Sequence, residues 1–168
     1  MADEVTNAHQ PWWKGARGEW LVFAQVVLIG VVFLGPRTLA GRPAWAFPFP
    51  GACSLVGGAL MVVGTALLVA GVARLGRALT PWPCPKEGAG LVQTGAYALV
   101  RHPMYSGGLM LGLGWALYVQ GWLTLGYVAA LFVLLDVKSR REEGWLSAKF
   151  PAYASYQRRV RKLIPFVY

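Results

Sequence analysis

Four apolar stretches, residues 20–34, 53–73, 103–119 and 122–137, leave too little polar chain between them for a water-soluble fold to bury them all. Only the second reaches the roughly 20 residues that cross a bilayer core without strain. The first is followed by Gly35-Pro36 and is expected to resume as a kinked helix to Leu39, with Arg37 reaching the headgroups. Gln120 and Gly121 alone separate the third and fourth, which predicts a tight antiparallel hairpin belted by Trp115, Tyr118 and Trp122. The fourth is expected to run on as a helix beyond the membrane. The fold class that follows is all-α: one polytopic domain over residues 1–168, with about four transmembrane helices near 20–39, 53–73, 103–119 and 122–138.

Composition agrees with that reading. The 168 residues are 56% hydrophobic and 14% charged, against about 25% charged in soluble domains. Eight Trp, seven Tyr and seven Phe supply interfacial belts. A net charge of +9 raises the question of nucleic acid, but the cations flank the apolar stretches instead of forming a free basic domain. With four crossings, 14 Lys and Arg fall on the side of both termini and 2 on the other. The positive-inside rule therefore puts both termini in the cytoplasm, beside membrane lipids, with no nucleic-acid partner.

Cys53 and Cys84 fit neither a disulfide framework nor a zinc site, so no metal is expected. The opening "MADEVTNAHQPWWKGARGEW" lacks the parts of a cleaved signal, so the first apolar stretch is expected to stay. Loop 35–51 is rich in proline and aromatics, and no function is expected of it. The inner loop of about 30 residues between the second and third stretches is rich in proline, which excludes a long helix. In the tail, apolar residues at 153, 156, 160, 163 and 164 predict an amphipathic cytoplasmic helix that lies on the membrane or caps a site there.

Groups of unlike charge meet at this inner surface. Arg101, His102 and Tyr105 open the third stretch, Glu142 and Glu143 follow the fourth, and Tyr153 and Tyr156 lie in the tail. Cations and carboxylates together at a membrane edge suit a zwitterionic ligand, and the helix start after Pro103 adds a positive dipole end. Each residue also has a plainer reading. Arg101 can be a topology anchor, His102 a structural hydrogen bonder, the glutamates a solvated cluster with Arg140-Arg141, and the tyrosines interfacial anchors. Gly107, Gly108, Gly112 and Gly114 can serve helix packing, with Gly108 and Gly112 as a small-xxx-small pair. Asp136, an acid inside an apolar stretch, needs a partner or a path to the interface.

"LVQTGAYALVRHPMYSG" and the later "EEGWLSAKFPAYASYQRRVRKLIP" together resemble the integral-membrane methyltransferases of the isoprenylcysteine carboxyl methyltransferase and phospholipid methyltransferase superfamily. The resemblance covers residues 79–165, with Phe150-Pro151 standing where that group commonly has Phe-Gly. It implies a cytoplasm-facing pocket for S-adenosyl-L-methionine, roofed by the tail, and a lipophilic acceptor entering from the bilayer. By the same resemblance Arg101, His102 and Tyr105 would hold the methionine portion and Gly112 and Gly114 would form a Gly-x-Gly cofactor element. Glu142 and Glu143 would accept from ribose hydroxyls or the ammonium group, and Tyr153 and Tyr156 would close over the adenosyl end. The catalytic candidates are Arg101 and Arg141, orienting an anionic acceptor, and Glu143 or His102, as a base for an amine. Two other readings compete: a nicotinamide-dependent reductase of the sterol reductase type, and a non-catalytic membrane scaffold. Neither the acceptor atom nor the oligomeric state follows from the sequence.

Overall fold

The structure is a computed structural model that describes residues 18–40, 49–76, 79–80, 88 and 90–168. Among these residues there are six helices: α1 Glu19–Leu34, α2 Pro50–Leu75, α3 Ala96–Leu99, α4 Pro103–Tyr118, α5 Trp122–Lys149 and α6 Tyr153–Arg159. The expectations for residues 1–17, for residues 41–48 of loop 35–51 and for Cys84 lie outside the described residues.

Two helices, α2 and α5, are long and apolar enough to cross a membrane. At 1.5 Å per residue, the 26 residues of α2 span about 39 Å, more than the hydrocarbon core of roughly 30 Å. The helix is apolar all round and exposes Leu55, Val62 and Val69, an arrangement that lipid tolerates and water does not. In α5 the apolar stretch ends at Val137, and residues 138–149 continue it as a polar extension.

One side of α2 is fitted to α4 by glycine. Gly57, Gly64 and Gly71 recur at seven-residue spacing and are the buried positions of α2. A Cβ on Gly64 would lie 2.7 Å from the Gly107 carbonyl oxygen, and one on Gly107 would lie 2.5 Å from that of Gly64. Gly57 and Gly114 meet in the same way, at 2.6 and 2.5 Å. Gly71 closes the row against Pro103 and Met104. The two backbones touch, so no side chain fits between them. The small-residue spacing that matters is thus seven, not the four of Gly108 and Gly112.

The first helix stops at Leu34, five residues short of the expected Leu39. Gly35 is extended, as the residue before Pro36 prefers to be, and the chain leaves the helix there. The Arg37 carbonyl instead accepts from Leu123 N at 3.1 Å, and the Arg37 guanidinium lies 5.3 Å from the Trp115 ring centroid. The core joins Val32 of α1, Ala116 of α4, and Val128, Leu131 and Leu135 of α5. Residues 119–121 connect α4 to α5, and the two helices pack together.

The tail departs from the expected helix. Phe150 precedes Pro151 and is extended, which ends α5, and α6 restarts for only seven residues before Val160 turns extended. The backbone beyond it is drawn to the start of α4. Arg101 N donates to Arg161 O at 2.8 Å and His102 N to Lys162 O at 3.2 Å, while Ser106 Oγ donates to Leu163 O at 2.6 Å. Lys162 and Tyr168 then reach Asp136, which also accepts from Arg140. This acid at the foot of the apolar stretch is therefore partnered, by the tail itself.

Candidate functional site

A cavity of about 560 Å3 opens where α1, α2, α4, α5 and the tail meet, within the 300–1,000 Å3 typical of ligand sites. Its upper wall is polar, with Tyr97, Arg101, His102, Tyr105, Glu142, Tyr153 and Tyr156. Its deeper wall is apolar and comes from Val22, Val26 and Ile29 of α1, Leu68 and Val72 of α2, and Leu131 and Leu135 of α5. Helix glycines also shape it. A Cβ on Gly108 would meet nothing within 4 Å, because Gly108 faces this space while its neighbour Gly107 faces α2.

His102 organises the polar wall. Its Nε2 lies 3.0 Å from Glu143 Oε1 and its Nδ1 3.3 Å from Glu142 Oε2. A carboxylate on each side of the ring favours the cationic imidazole, which can face both with an N–H. Burial opposes that charge, but the hydrogen bonds to Glu142 and Glu143 outweigh it and raise the pKa above its ordinary 6.5. The ring stacks on Tyr105, centroids 5.4 Å apart, and the Tyr105 hydroxyl donates to Glu142 Oε1 at 2.6 Å.

Glu143 ties the tail to this wall. It accepts from Arg101 Nε at 2.8 Å, from His102 and from Gln157 Nε2 at 3.1 Å. Burial would push its carboxyl up, yet the bonds from His102 and Arg101 hold it at about 2. Arg101 also donates to the Gln157 and Val160 carbonyls. With two bonds to Glu143, four of its five N–H donors are occupied and one remains.

Tyr156 donates to Tyr97 O at 2.6 Å, fastening α6 over α3. Burial pushes the Tyr97 hydroxyl up to about 12 and keeps those of Tyr153 and Tyr156 above their ordinary value, so all three stay neutral. Tyr153 is 1% exposed, and its hydroxyl meets no hydrogen-bond partner among the described residues. Tyr153 lines the cavity, so a buried hydroxyl without a geometric partner stands beside the space a ligand would fill.

Arg101, His102, Tyr105, Glu142, Tyr153 and Tyr156 therefore share one cavity wall, with Glu143 directly behind. Gly112 and Gly114 do not join them. A Cβ on Gly112 would press on Val128 at 3.2 Å, and Gly114 belongs to the seam with Gly57. These positions serve packing, because their bare faces point at neighbouring helices. Arg141 is exposed, lies over the Trp145 ring at 5.5 Å and lines no part of the cavity. Tyr97, Gln157, Gln25 and Lys138 escaped the sequence reading. Tyr97 and Gln157 lie within the two motifs and could have been weighed with them, whereas nothing in sequence pairs Gln25 with Lys138.

The sequence model of the phospholipid methyltransferase family matches residues 52–152. The chain belongs to that family. Within the wider superfamily of isoprenylcysteine and phospholipid methyltransferases, membership makes the protein a membrane methyltransferase. No curated protein matches the chain. The family match takes in nearly all of α2 through α5 and ends before Tyr153, so α1, α6 and the tail beyond α6 lie outside it.

Proposed function

We propose that this phospholipid methyltransferase family member transfers a methyl group from S-adenosyl-L-methionine to a lipophilic acceptor drawn from the bilayer, at the cytoplasmic membrane face. The topology that goes with this reading has four crossings, α1, α2, α4 and α5, with α4 and α5 as a hairpin and both termini in the cytoplasm. The observation that carries it is one cavity with two unlike walls: charged and aromatic beside the tail, apolar between the helices. A zwitterionic cofactor suits the first wall and a lipid chain the second.

The residues present fit the cofactor. Glu142 offers a carboxylate to a cationic or hydroxyl group, Arg101 keeps one donor for an anionic one, and Tyr153 lines the same wall. Tyr105 and Tyr156 add aromatic surface to the same wall. When bound, S-adenosyl-L-methionine supplies a sulfonium-activated methyl group whose displacement needs no acid at the leaving sulfur. The chain's contribution is then orientation and exclusion of water. Neither base considered from sequence is free: Glu143 is held ionised by three donors, and His102 bonds Glu143 through Nε2 while its Nδ1 faces Glu142. An acceptor that arrives without a proton to lose suits such a site.

Thermal unfolding of the detergent-purified protein with S-adenosyl-L-methionine, S-adenosylhomocysteine or a reduced nicotinamide cofactor tests this reading. At 100 times the dissociation constant, a ligand adds about 2.7 kcal/mol to stability. Stabilisation by the adenosyl compounds alone is expected. Stabilisation by the nicotinamide alone would move the protein to the reductases, and by neither would leave the scaffold reading.

A further inference from the structure

Lys138 and Lys162 are both buried lysines near the foot of α5, at 3% and 7% exposure, and they are satisfied differently. Lys162 is paired with the Asp136 carboxylate. Lys138 donates to Gln25 Oε1, a neutral amide on α1, at 2.6 Å and lies 5.1 Å from the Tyr105 ring centroid. An ammonium has three N–H donors, and among the described residues Gln25 is its one hydrogen-bond acceptor. Glu142, one turn along the same helix, attracts Lys138 without forming an ion pair with it, its Oε1 being engaged by Tyr105 and its Oε2 by His102. A buried cation held by a dipole and a ring is costly unless an anion arrives from elsewhere.

Its position says where that anion would sit. Gln25 and Lys138 both line the cavity, between the polar wall of Glu142 and Tyr105 and the apolar wall that begins with Val22 and Val26. A group bound there would have its charged end at Lys138 and an apolar chain against α1 and α5. We infer that Lys138, braced by Gln25, receives an oxyanion, carboxylate or phosphate, carried by the amphiphilic acceptor. The inference rests on the proposed methyl transfer for the word acceptor, but the anion site itself does not. Gln25 lies outside the segment that matches the family, so this pairing adds a recognition element contributed by α1.

The test uses the full chain in an uncharged maltoside detergent, titrated with dodecanoate, dodecyl phosphate and dodecanol at a pH where both acids are ionised. Each anion is expected to bind about tenfold or more tightly than the alcohol, the worth of one charged hydrogen bond. Whichever anion binds tighter identifies the oxyanion class. Lys138→Met should abolish the preference, Lys138→Arg should keep it, and Gln25→Glu should abolish it by giving the lysine a counterion of its own. S-adenosylhomocysteine binding, measured in parallel, should survive in all three. An unchanged preference in Lys138→Met overturns the inference, as does joint loss of the preference and of S-adenosylhomocysteine binding, which would assign the lysine to the cofactor. If Lys138→Met fails to fold, Gln25→Glu decides alone by the same criterion. Failure of the parent protein to bind S-adenosylhomocysteine would instead sink the proposed function and leave the anion site standing.

Discussion

Helix α4 is held by two contrasting regions, the glycine seam with α2 and the ionic cluster with α5 and the tail. In the seam backbone meets backbone at Gly57–Gly114 and Gly64–Gly107, so the contact depends on what is missing and leaves no room there for a Cβ. In the cluster His102 lies between two carboxylates and Arg101 between Glu143 and two carbonyls, so the contact depends on which charges are present. The seam therefore fixes where α4 stands, and the cluster fixes what its exposed end can bind. Gly112 and Gly114, which look like part of a binding site, pack against neighbouring helices, while Arg101, which looks like a topology anchor, lines the cavity.

The largest effect should come from the cluster. Glu143→Ala leaves Arg101 and His102 without their shared counterion in a buried setting and should cost about 3–5 kcal/mol in an unfolding titration. A loss below that range would place the cluster with weak surface pairs. Next comes the seam, where Gly107→Ala should cost about 1–3 kcal/mol because its Cβ meets the Gly64 backbone. The same substitution one residue on sharpens the contrast. Gly108→Ala faces open cavity and should leave stability unchanged or raise it by up to about 1 kcal/mol, the helix preference for alanine. Equal effects at the two positions would dissolve the seam.

The cluster should also give a pH profile that the seam lacks. Glu143 has a lowered pKa, so its contribution is complete above its ordinary 4.5 and is lost as the pH falls toward about 2. His102 has a raised pKa, so its contribution is complete below 6.5 and is lost as the pH climbs through the raised value. Melting temperature should plateau between 4.5 and 6.5 and fall on both sides, and Glu143→Gln should shrink the acid limb, leaving the part due to the ion-paired Asp136. The smallest effect is expected from Tyr153→Phe. No hydrogen bond is lost in the free protein, so stability should hold, while affinity for S-adenosylhomocysteine falls by about 1 kcal/mol, roughly fivefold. Unchanged affinity would remove Tyr153 from the ligand's contacts.

Much of the fold could be read directly. The apolar stretches appear as helices with ends shifted by a few residues, because helix stops at Gly35-Pro36 and Phe150-Pro151 depend on local backbone preference. The tail was less legible. Its periodicity suggested a longer helix, but unbonded N–H groups at Arg101 and His102 recruit Arg161 and Lys162 as an extended segment. The site was half legible. Arg101, His102, Tyr105, Glu142 and the two tyrosines stand out as polar groups beside apolar stretches, yet a glycine's role depends on which neighbour its bare face meets. Gly107 and Gly108 are adjacent in sequence and face different surroundings.

The sequence by itself determined that this chain is helical, apolar and charged at one edge, because hydrophobic runs and cation placement act locally and sum along the chain. Only the tertiary structure decided which charges are spent on each other and which remain for a ligand. Glu143 is consumed by Arg101, His102 and Gln157, Tyr153 finds no hydrogen-bond partner among the described residues, and Lys138 donates to an amide from a helix more than a hundred residues earlier while lying over the Tyr105 ring. Such pairings are set by side chains that approach within about 3 Å from different helices, a distance that no local pattern encodes.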